Sequence, residues 1–349
     1  MEKQPLEVQT LYAELLERLA AYEAQRAIGH LQGSFVTKTV KGQQYYYFQH
    51  LSPGNAKHQI YLGRKSDALD RVAQRYAVAR ELVAEDQTSI QRLGSLLRAG
   101  GAMTTDAASA RVLKSLADAG VFRLGGVLVG THAFIVIGNM LGARWSGATL
   151  RTQDVDVAAA RTMNIALPDV ATDIPGTLAS LEMGFLPVPG LDPRSPSTSF
   201  KVRGQGLRVD LLSPARRQGQ APIRLQRFAA TAQPLKYLDF LMDSAIPGAV
   251  INGGATSVVV PDPARFALHK LIVSGERPAT AHAKRDKDLW QASQCLEVLA
   301  QERPGDITLA WEAIADRGRG WEKRALAGLK SLHQLSPEIA EAVRALKAQ

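Results

Sequence analysis

The sequence predicts an α/β (α+β) protein: a mixed sheet flanked by helices, an N-terminal helix–hairpin–helix module and a C-terminal helical domain. Between residues 124 and 212, short strand-like runs alternate with helical patterns. Before and after this region, apolar residues recur mainly at three- and four-residue steps, which is typical of amphipathic helices. We therefore divide the chain into residues 1–100, 101–230 and 231–349, with the chemistry expected in the middle part.

The composition of the chain excludes some classes of protein and favours others. The 349 residues include 42 Lys and Arg against 33 Asp and Glu, a formal net charge of +9, which favours anionic partners. Cys295 is the single cysteine, so an intramolecular disulfide scaffold is excluded. The first residues lack the basic-then-apolar pattern of a signal peptide. We expect a cytoplasmic protein.

The N-terminal module begins with a predicted helix over residues 6–32. Residues 35–66 contain two strand-like runs joined by Ser-Pro-Gly-Asn, which predict a β-hairpin. A second helix is predicted over residues 67–99, with Ser66 or Asp67 as its cap. A third is expected near residues 106–120.

The predicted hairpin has the composition of a nucleic-acid contact. Its 32 residues hold six aromatic side chains, five Lys or Arg and no acid. Cations meet phosphates and aromatic rings stack on exposed bases. The candidate contacts are Lys38, Lys41, Tyr45, Tyr47, Lys57, Arg64 and Lys65, with Tyr46 on the opposite face. The alternative is a hairpin whose tyrosines simply pack against helix 67–99.

Residues 124–143 contain no charged side chain and are nearly long enough for a membrane helix. Five glycines interrupt the stretch, which divides into a strand, a Gly130-Thr131 turn and an apolar helix. We therefore predict a buried strand–turn–helix. Backbone N–H groups at such a helix start can bind phosphate, although a tight turn alone also explains Gly130.

Acidic residues follow on two predicted strands. In the strand at 153–159, Asp154 and Asp156 are two residues apart and so share one face. After a helix near 174–183, strands at 198–203 and 207–212 are joined by Gly204-Gln205-Gly206, and the second carries Asp210. Three acids at one end of a sheet favour Mg²⁺, which binds carboxylates together with substrate phosphates. The alternative is a solvated acidic pair.

The C-terminal part is predicted to be mainly helical from about residue 231, with one strand-like piece at 256–260. Further helices are expected at residues 264–274, 283–300, 306–316 and 320–346.

The strand–Gly-Thr–helix, followed by RTQDVDVA and VDLL, resembles the nucleotidyltransferase fold of the polymerase-β superfamily. More narrowly, with the segment YYYFQ…HQIYLGRKS ahead of the core, the chain resembles an uncharacterised bacterial nucleotidyltransferase-fold family. It is similar, more distantly, to abortive-infection-type toxins of that fold. Two features depart from the superfamily pattern: Thr131 replaces Gly or Ser, and 24 residues separate Gly130 from Asp154.

This resemblance implies a metal-dependent nucleotidyltransferase. Asp154, Asp156 and Asp210 are the implied catalytic residues and the ligands of two Mg²⁺ ions, with Mn²⁺ as an alternative. The implied nucleotide-binding residues are Gly130, Thr131, Arg151, Lys270 and Asp288. Arg151, Lys270 and Asp288 also have structural explanations: a surface arginine at a strand start, a lysine extending to solvent, and an acid complementing a helix dipole.

The implied reaction transfers a nucleoside monophosphate from a nucleoside triphosphate to an acceptor hydroxyl, with RNA, and tRNA in particular, as the natural acceptor. Two alternatives stay open at this point. The acceptor can be a protein side chain or a small molecule, as in a toxin paired with an antitoxin protein. The chain can also be a non-catalytic nucleic-acid-binding protein on the same scaffold, since fold does not guarantee activity. No membrane partner is expected.

Overall fold

A computed structural model describes residues 1–29, 34–51, 57–147, 152–160, 171–190, 195–215 and 221–347. Among the helices of these residues, none combines the length and apolar character needed to cross a membrane. The uncharged stretch at 124–143 forms the predicted strand–turn–helix, with a strand at Val127–Val129 and a helix at Gly130–Met140.

The N-terminal part consists of two long helices and a small sheet. Its elements are β1 (Glu2–Lys3), α1 (Leu6–Gly29), β2 (Ser34–Val40), β3 (Gln43–Leu51), β4 (Lys57–Arg64) and α2 (Asp67–Ala99). Helices α1 and α2 pack together. The predicted range of α2 is confirmed, and Ser66 is its cap, accepting a hydrogen bond from the Leu69 N–H.

The predicted hairpin is in fact a three-stranded antiparallel sheet with the order β2-β3-β4. The first strand-like run divides at Lys41 and Gly42, whose φ angles of 52° and 75° form a two-residue turn. Positive φ at both central residues matches the twist of paired strands, so this turn closes a hairpin inside the run. The prediction of one continuous strand there was wrong. The turn residues are Lys-Gly, which is not one of the pairs, such as Asn-Gly or Asp-Gly, that usually indicate a two-residue turn.

The central part contains the larger sheet. Its elements are α3 (Ala107–Asp118), β5 (Val127–Val129), α4 (Gly130–Met140), β6 (Ala143–Arg144), β7 (Asp154–Ala158), α5 (Ile174–Ser180), β8 (Phe185–Pro187), β9 (Ser199–Val202), β10 (Arg208–Pro214), β11 (Ile223–Leu225) and β12 (Ala230–Leu235). Seven strands pair in the order β11-β12-β10-β7-β5, with β9 on β10 and β8 on β9. The pairs β7–β10 and β10–β12 are parallel and the others antiparallel, which makes the sheet mixed.

The C-terminal part opens with α6 (Leu238–Met242), β13 (Ala245–Ile251) and β14 (Ala255–Pro261). It continues with α7 (Pro263–Glu276), α8 (His282–Glu302), α9 (Pro304–Ala315), α10 (Arg319–Leu335) and α11 (Pro337–Lys347). Two predictions were wrong here. The chain is not helical from 231, because β12 pairs with β10 and β11, and β13 forms a hairpin with β14. The helix predicted at 320–346 is two helices, since Pro337 has no N–H to continue α10.

Two buried clusters hold these parts together. The larger runs from Met103 to Val343 and joins the central sheet to helices α7–α11. The smaller lies between α1, α2 and the β13–β14 hairpin, where Leu15 and Leu97 pack near Ile251. The N-terminal helices are therefore anchored on a C-terminal hairpin. The three-part division of the chain remains a prediction.

Candidate active site

Two of the predicted acids lie side by side on neighbouring strands. Strands β7 and β10 are parallel, and Asp156 is directly opposite Asp210. Residues opposite each other in a sheet project from the same face. Asp154, two residues before Asp156, shares that face as the alternation predicts. Asp154 is exposed, whereas Asp156 and Asp210 are half-buried. The fold thus brings the three predicted acids to one face of two adjacent strands.

The start of α4 adjoins this acidic face. Val129 is opposite Asp156 in the antiparallel pair β5–β7, and Gly130 follows it with a φ of 71°. A Cβ atom at Gly130 would collide with Oδ2 of Asp156. Glycine is therefore required here both by the backbone and by the carboxylate. Thr131, the other predicted residue of this turn, is buried in the first turn of α4.

Two residues that sequence reasoning missed hold Asp210 in place. The Ser199 hydroxyl on β9 donates a hydrogen bond to Asp210 Oδ1. Arg208 Nε donates to the same oxygen at 2.7 Å, and Arg208 Nη2 donates to Ser199 Oγ at 2.9 Å. Arg208 could have been found, because it precedes Asp210 by two residues and shares its face. Ser199 could not, since only the β9–β10 register places it opposite Asp210.

Burial and neighbouring charges act on the carboxyl group of Asp156. Burial, followed by the charges of Asp210 and Asp154, raises the pKa of Asp156 to about 7. The positive charges of Lys270 and Lys287 oppose that shift. A carboxylate whose charge is this costly to maintain is one that a bound cation would stabilise.

The predicted residues Lys270 and Asp288 meet in a buried ion-pair network. Lys270 Nζ lies 2.7 Å from Asp288 Oδ1, and Arg277 Nη2 lies 2.7 Å from Asp288 Oδ2. Burial acts to raise the pKa of Asp288, but the two cations outweigh it and the pKa is lowered. Asp288 is therefore held ionised between a lysine and an arginine. Arg277 was not among the predicted residues.

A cavity of about 980 Å³ opens beside Asp154. Its wall includes Asp106, His132, Arg144, Trp145 and Lys287. The volume is in the range of small-molecule sites. Sequence reasoning assigned none of these wall residues to the site, because they come from α4, α8, the segment at the end of β6 and the loop before α3, which are far apart in the chain.

The donor set fits a hard divalent cation. The three aspartates supply carboxylate oxygens, and their mutual repulsion is a cost that a divalent cation would remove. Among the described residues, no group of three or more His, Cys, Asp or Glu side chains is close enough to form a complete set of protein ligands. Mg²⁺ does not need one, since it takes one or two carboxylates together with water and substrate phosphates.

The predicted nucleic-acid contacts are distributed over the small sheet. Tyr46 faces α2, where its hydroxyl donates to Asp70 Oδ1 at 2.6 Å. The rings of Tyr45, Tyr47 and Tyr61 project from the opposite face. The ring centroid of Tyr61 lies 6.1 Å from that of Tyr45 and 5.5 Å from that of Tyr47. The prediction omitted Tyr61. It lies opposite Tyr47 in the β3–β4 pair, next to a β-bulge between Tyr46 and Tyr47.

Cations border these three rings. Lys38 Nζ lies 5.0 Å from the centre of the Tyr47 ring, and Arg64 is exposed opposite Tyr45. We call Lys38, Tyr45, Tyr47, Tyr61 and Arg64 the outer face of the small sheet. The other predicted cations lie elsewhere: Lys41 is exposed in the β2–β3 turn, Lys57 begins β4, and Lys65 follows β4. Arg151, predicted at the nucleotide site, lies outside the described residues.

Comparisons with known proteins identify a family for this chain. A nucleotidyltransferase family model matches residues 107–316, which is more than half of the chain. No curated protein matches. A solved structure of an antigenic nucleotidyltransferase-like protein from Paracoccidioides brasiliensis is similar over 70% of this chain and 95% of that one, at 14% identity and a TM-score of 0.36. The family match, which spans all three acids and the α4 start, shows that this chain belongs to the nucleotidyltransferase family.

Proposed function

We propose that the protein transfers a nucleoside monophosphate from a nucleoside triphosphate to a hydroxyl of RNA. The observation that carries the proposal is the placement of Asp156 opposite Asp210 on parallel strands, directly beside the glycine that begins α4. Acids for metal ions and a helix start for phosphates thus adjoin one another. A purely structural acidic pair has no need of an adjacent helix start kept clear by glycine.

Mg²⁺ would be held by Asp154, Asp156 and Asp210. When bound, two such ions supply positive charge that activates the acceptor hydroxyl and stabilises the leaving oxygen. Mn²⁺ has the same preference for oxygen ligands.

The protein's own contribution is orientation. The acceptor oxygen forms a bond to the α-phosphorus, and the bond from that phosphorus to the bridging oxygen breaks, so pyrophosphate leaves with the electron pair. The hydroxyl proton passes to Asp210. Ser199 and Arg208 donate hydrogen bonds to Oδ1 of Asp210, and these bonds fix the carboxylate. Its other oxygen, Oδ2, is left to accept the proton. The first N–H groups of α4 orient the phosphates.

RNA is favoured as the acceptor by the outer face of the small sheet. Three tyrosine rings and two cations on one face suit a single strand, since bases stack on aromatic rings while cations meet phosphates. The chain segment that forms this sheet contains no acid. The same sheet supports the narrower resemblance to a bacterial family with a basic aromatic segment ahead of its core.

The test is incorporation of label. The purified protein is incubated with Mg²⁺, total bacterial RNA and each α-³²P-labelled nucleoside triphosphate in turn. We expect label in an RNA band with the wild type, and about 1,000-fold less with Asp154→Asn/Asp156→Asn, because transition-state charge stabilisation is lost. Asp286 is an exposed acid of α8, so Asp286→Asn is the matched control and should transfer label as the wild type does.

The other outcomes separate the alternatives. Label on protein would indicate a side-chain acceptor, as in a toxin. If the wild type neither transfers label nor binds any triphosphate in the presence of Mg²⁺, the enzymatic proposal is wrong. RNA binding by such a protein would favour the non-catalytic binder.

A further inference from the structure

Lys287 takes no part in the ion-pair network of Lys270, Arg277 and Asp288. It is half-buried at the wall of the 980 Å³ cavity, on the same wall as Asp154. Among the described residues it has no ion-pair partner within 4 Å. Burial first, and then the charge of Lys270, lower the pKa of Lys287. Asp156 and Asp154 act on Lys287 in the opposite direction, so its ammonium group lies within the field of the acids.

Lys270, the residue that the resemblance implies for the triphosphate, is placed differently. Its Nζ is 2.7 Å from Asp288, and its side chain is only 14% exposed. It does not line the cavity. A triphosphate reaching Lys270 would compete with a buried carboxylate for it, and breaking such a pair is costly. Lys287 is adjacent to Asp288 in sequence, but its side chain lines the cavity while Asp288 faces Lys270 and Arg277.

A second cation lies across the same wall. Arg144, at the end of β6, is exposed, lines the cavity and has no ion-pair partner among the residues that the structure describes. The remaining charged residues of the wall, Asp106 and Asp154, are both acidic. A polyanion entering beside Asp154 therefore meets two carboxylates, and Lys287 and Arg144 are the cavity's available counter-charges.

We propose that the triphosphate of the incoming nucleotide lies in this cavity, held by Lys287 and Arg144 in place of Lys270. The inference rests on the proposed function, which requires a triphosphate next to Asp154. It adds the identity of the cationic site. Lys270 becomes a positioning residue: its pair with Asp288 fixes its ammonium group, whose charge favours the ionised form of Asp156. The ammonium of Lys287 suits phosphate as a point charge, and the fork of Arg144 can bind two oxygens.

The experiment compares affinities along a phosphate series. Equilibrium dialysis with Mg²⁺ measures the Kd of each nucleoside triphosphate and its diphosphate and monophosphate, for wild type and Lys287→Met. We expect the variant to bind the preferred triphosphate about 10- to 100-fold more weakly, because a charged contact is lost. Its affinity for the monophosphate should change by less than about threefold. Arg144→Met should show the same selective loss.

Controls separate charge from structure. Lys284→Met, an exposed lysine of the same helix, should bind like the wild type. Lys287→Arg keeps the charge and should recover most of the triphosphate affinity. Thermal unfolding checks that each variant is folded, and Lys287→Gln provides a second neutral variant.

Two results would overturn the inference. In one, Lys287→Met and Lys287→Gln bind triphosphate as tightly as the wild type. In the other, folded Lys270→Met loses triphosphate affinity selectively while Lys287→Met does not. Either leaves the proposed function intact, provided that the wild type binds and transfers. A wild type that binds no triphosphate overturns both.

Discussion

Gly130 shows how a single residue couples the two halves of the site. Its position is set by β5, which pairs with β7 so that Val129 is opposite Asp156. Because there is no side chain at residue 130, the carboxylate of Asp156 occupies the space next to the helix start. The N–H groups at the start of α4 and the carboxylate of Asp156 therefore lie next to each other. A Cβ atom at residue 130 would occupy the space that the carboxylate fills.

We predict that Gly130→Ala abolishes most nucleotide transfer while the protein still folds. The methyl group must displace Asp156, and displacement of a reacting group by about 1 Å can reduce the rate about 100-fold. A positive φ for alanine adds about 1–2 kcal/mol of instability. Label transfer and urea unfolding measure the two effects. Gly184→Ala is the matched control, because Gly184 has a φ of 78° with nothing within 4 Å. Equal loss of activity in both variants would contradict the role given to Asp156.

At the scale of elements, the small sheet is divided by its two faces. Phe48 and Tyr76 pack edge to face at 5.6 Å on the side of α2, while Tyr47 and Tyr61 pack at 5.5 Å on the other. The bulge in the β3–β4 pair lets Tyr61 and Arg64 project from the same face although they are three residues apart. The exposed fraction of Tyr61 is 57%, a large aromatic surface left to solvent.

We predict that Tyr47→Ser/Tyr61→Ser weakens binding of single-stranded RNA by about tenfold or more, since stacking contributes about 1–3 kcal/mol per base. Fluorescence anisotropy at a fixed salt concentration provides the measurement. Tyr46→Phe, which keeps the packing against α2 on the inner face, should bind RNA normally. Triphosphate affinity should be unchanged in both variants. If the double variant binds RNA as well as the wild type does, the outer face is not the acceptor site.

Across the whole molecule, one buried cluster joins the catalytic sheet to the C-terminal helices. Helix α7 lies in this shared core and carries both Lys270 and the buried His269. The ring nitrogens of His269 have no hydrogen-bond partner among the described residues. Burial, followed by the charge of Lys270, lowers its pKa to about 3. The folded state therefore keeps His269 neutral.

This makes global stability depend on pH, with a defined sign. Above about pH 7.5, His269 is neutral in both states and contributes no dependence. Between about pH 6.5 and 3, the unfolded state binds a proton that the folded state does not, so stability falls by about 1.4 kcal/mol per pH unit. We predict that lowering the pH from 7.5 to 5.0 destabilises the wild type by about 2 kcal/mol more than His269→Leu. Urea unfolding at both pH values tests this; identical pH dependence would refute it.

Much of the site follows from local pattern. Asp154 and Asp156 share a face because side chains alternate along any strand, and Gly130 begins a helix because an apolar helical pattern follows a glycine. The range of α2 was likewise predictable from its cap and its length. The ion pair of Lys270 with Asp288 brings together two residues already singled out in sequence, although their partner Arg277 was not.

The sequence by itself determined that Asp154 and Asp156 share a face, where α2 and α4 begin, and the excess of cations in the small sheet. These properties depend on neighbouring residues and on the geometry of a single strand or helix. Only the tertiary structure decided that β10 pairs with β7, that Ser199 meets Asp210, and that Lys287 lines the cavity. Strand pairing and the direction that a helix faces are set by the burial of apolar side chains from distant segments, and that information is not contained in any short stretch of the chain.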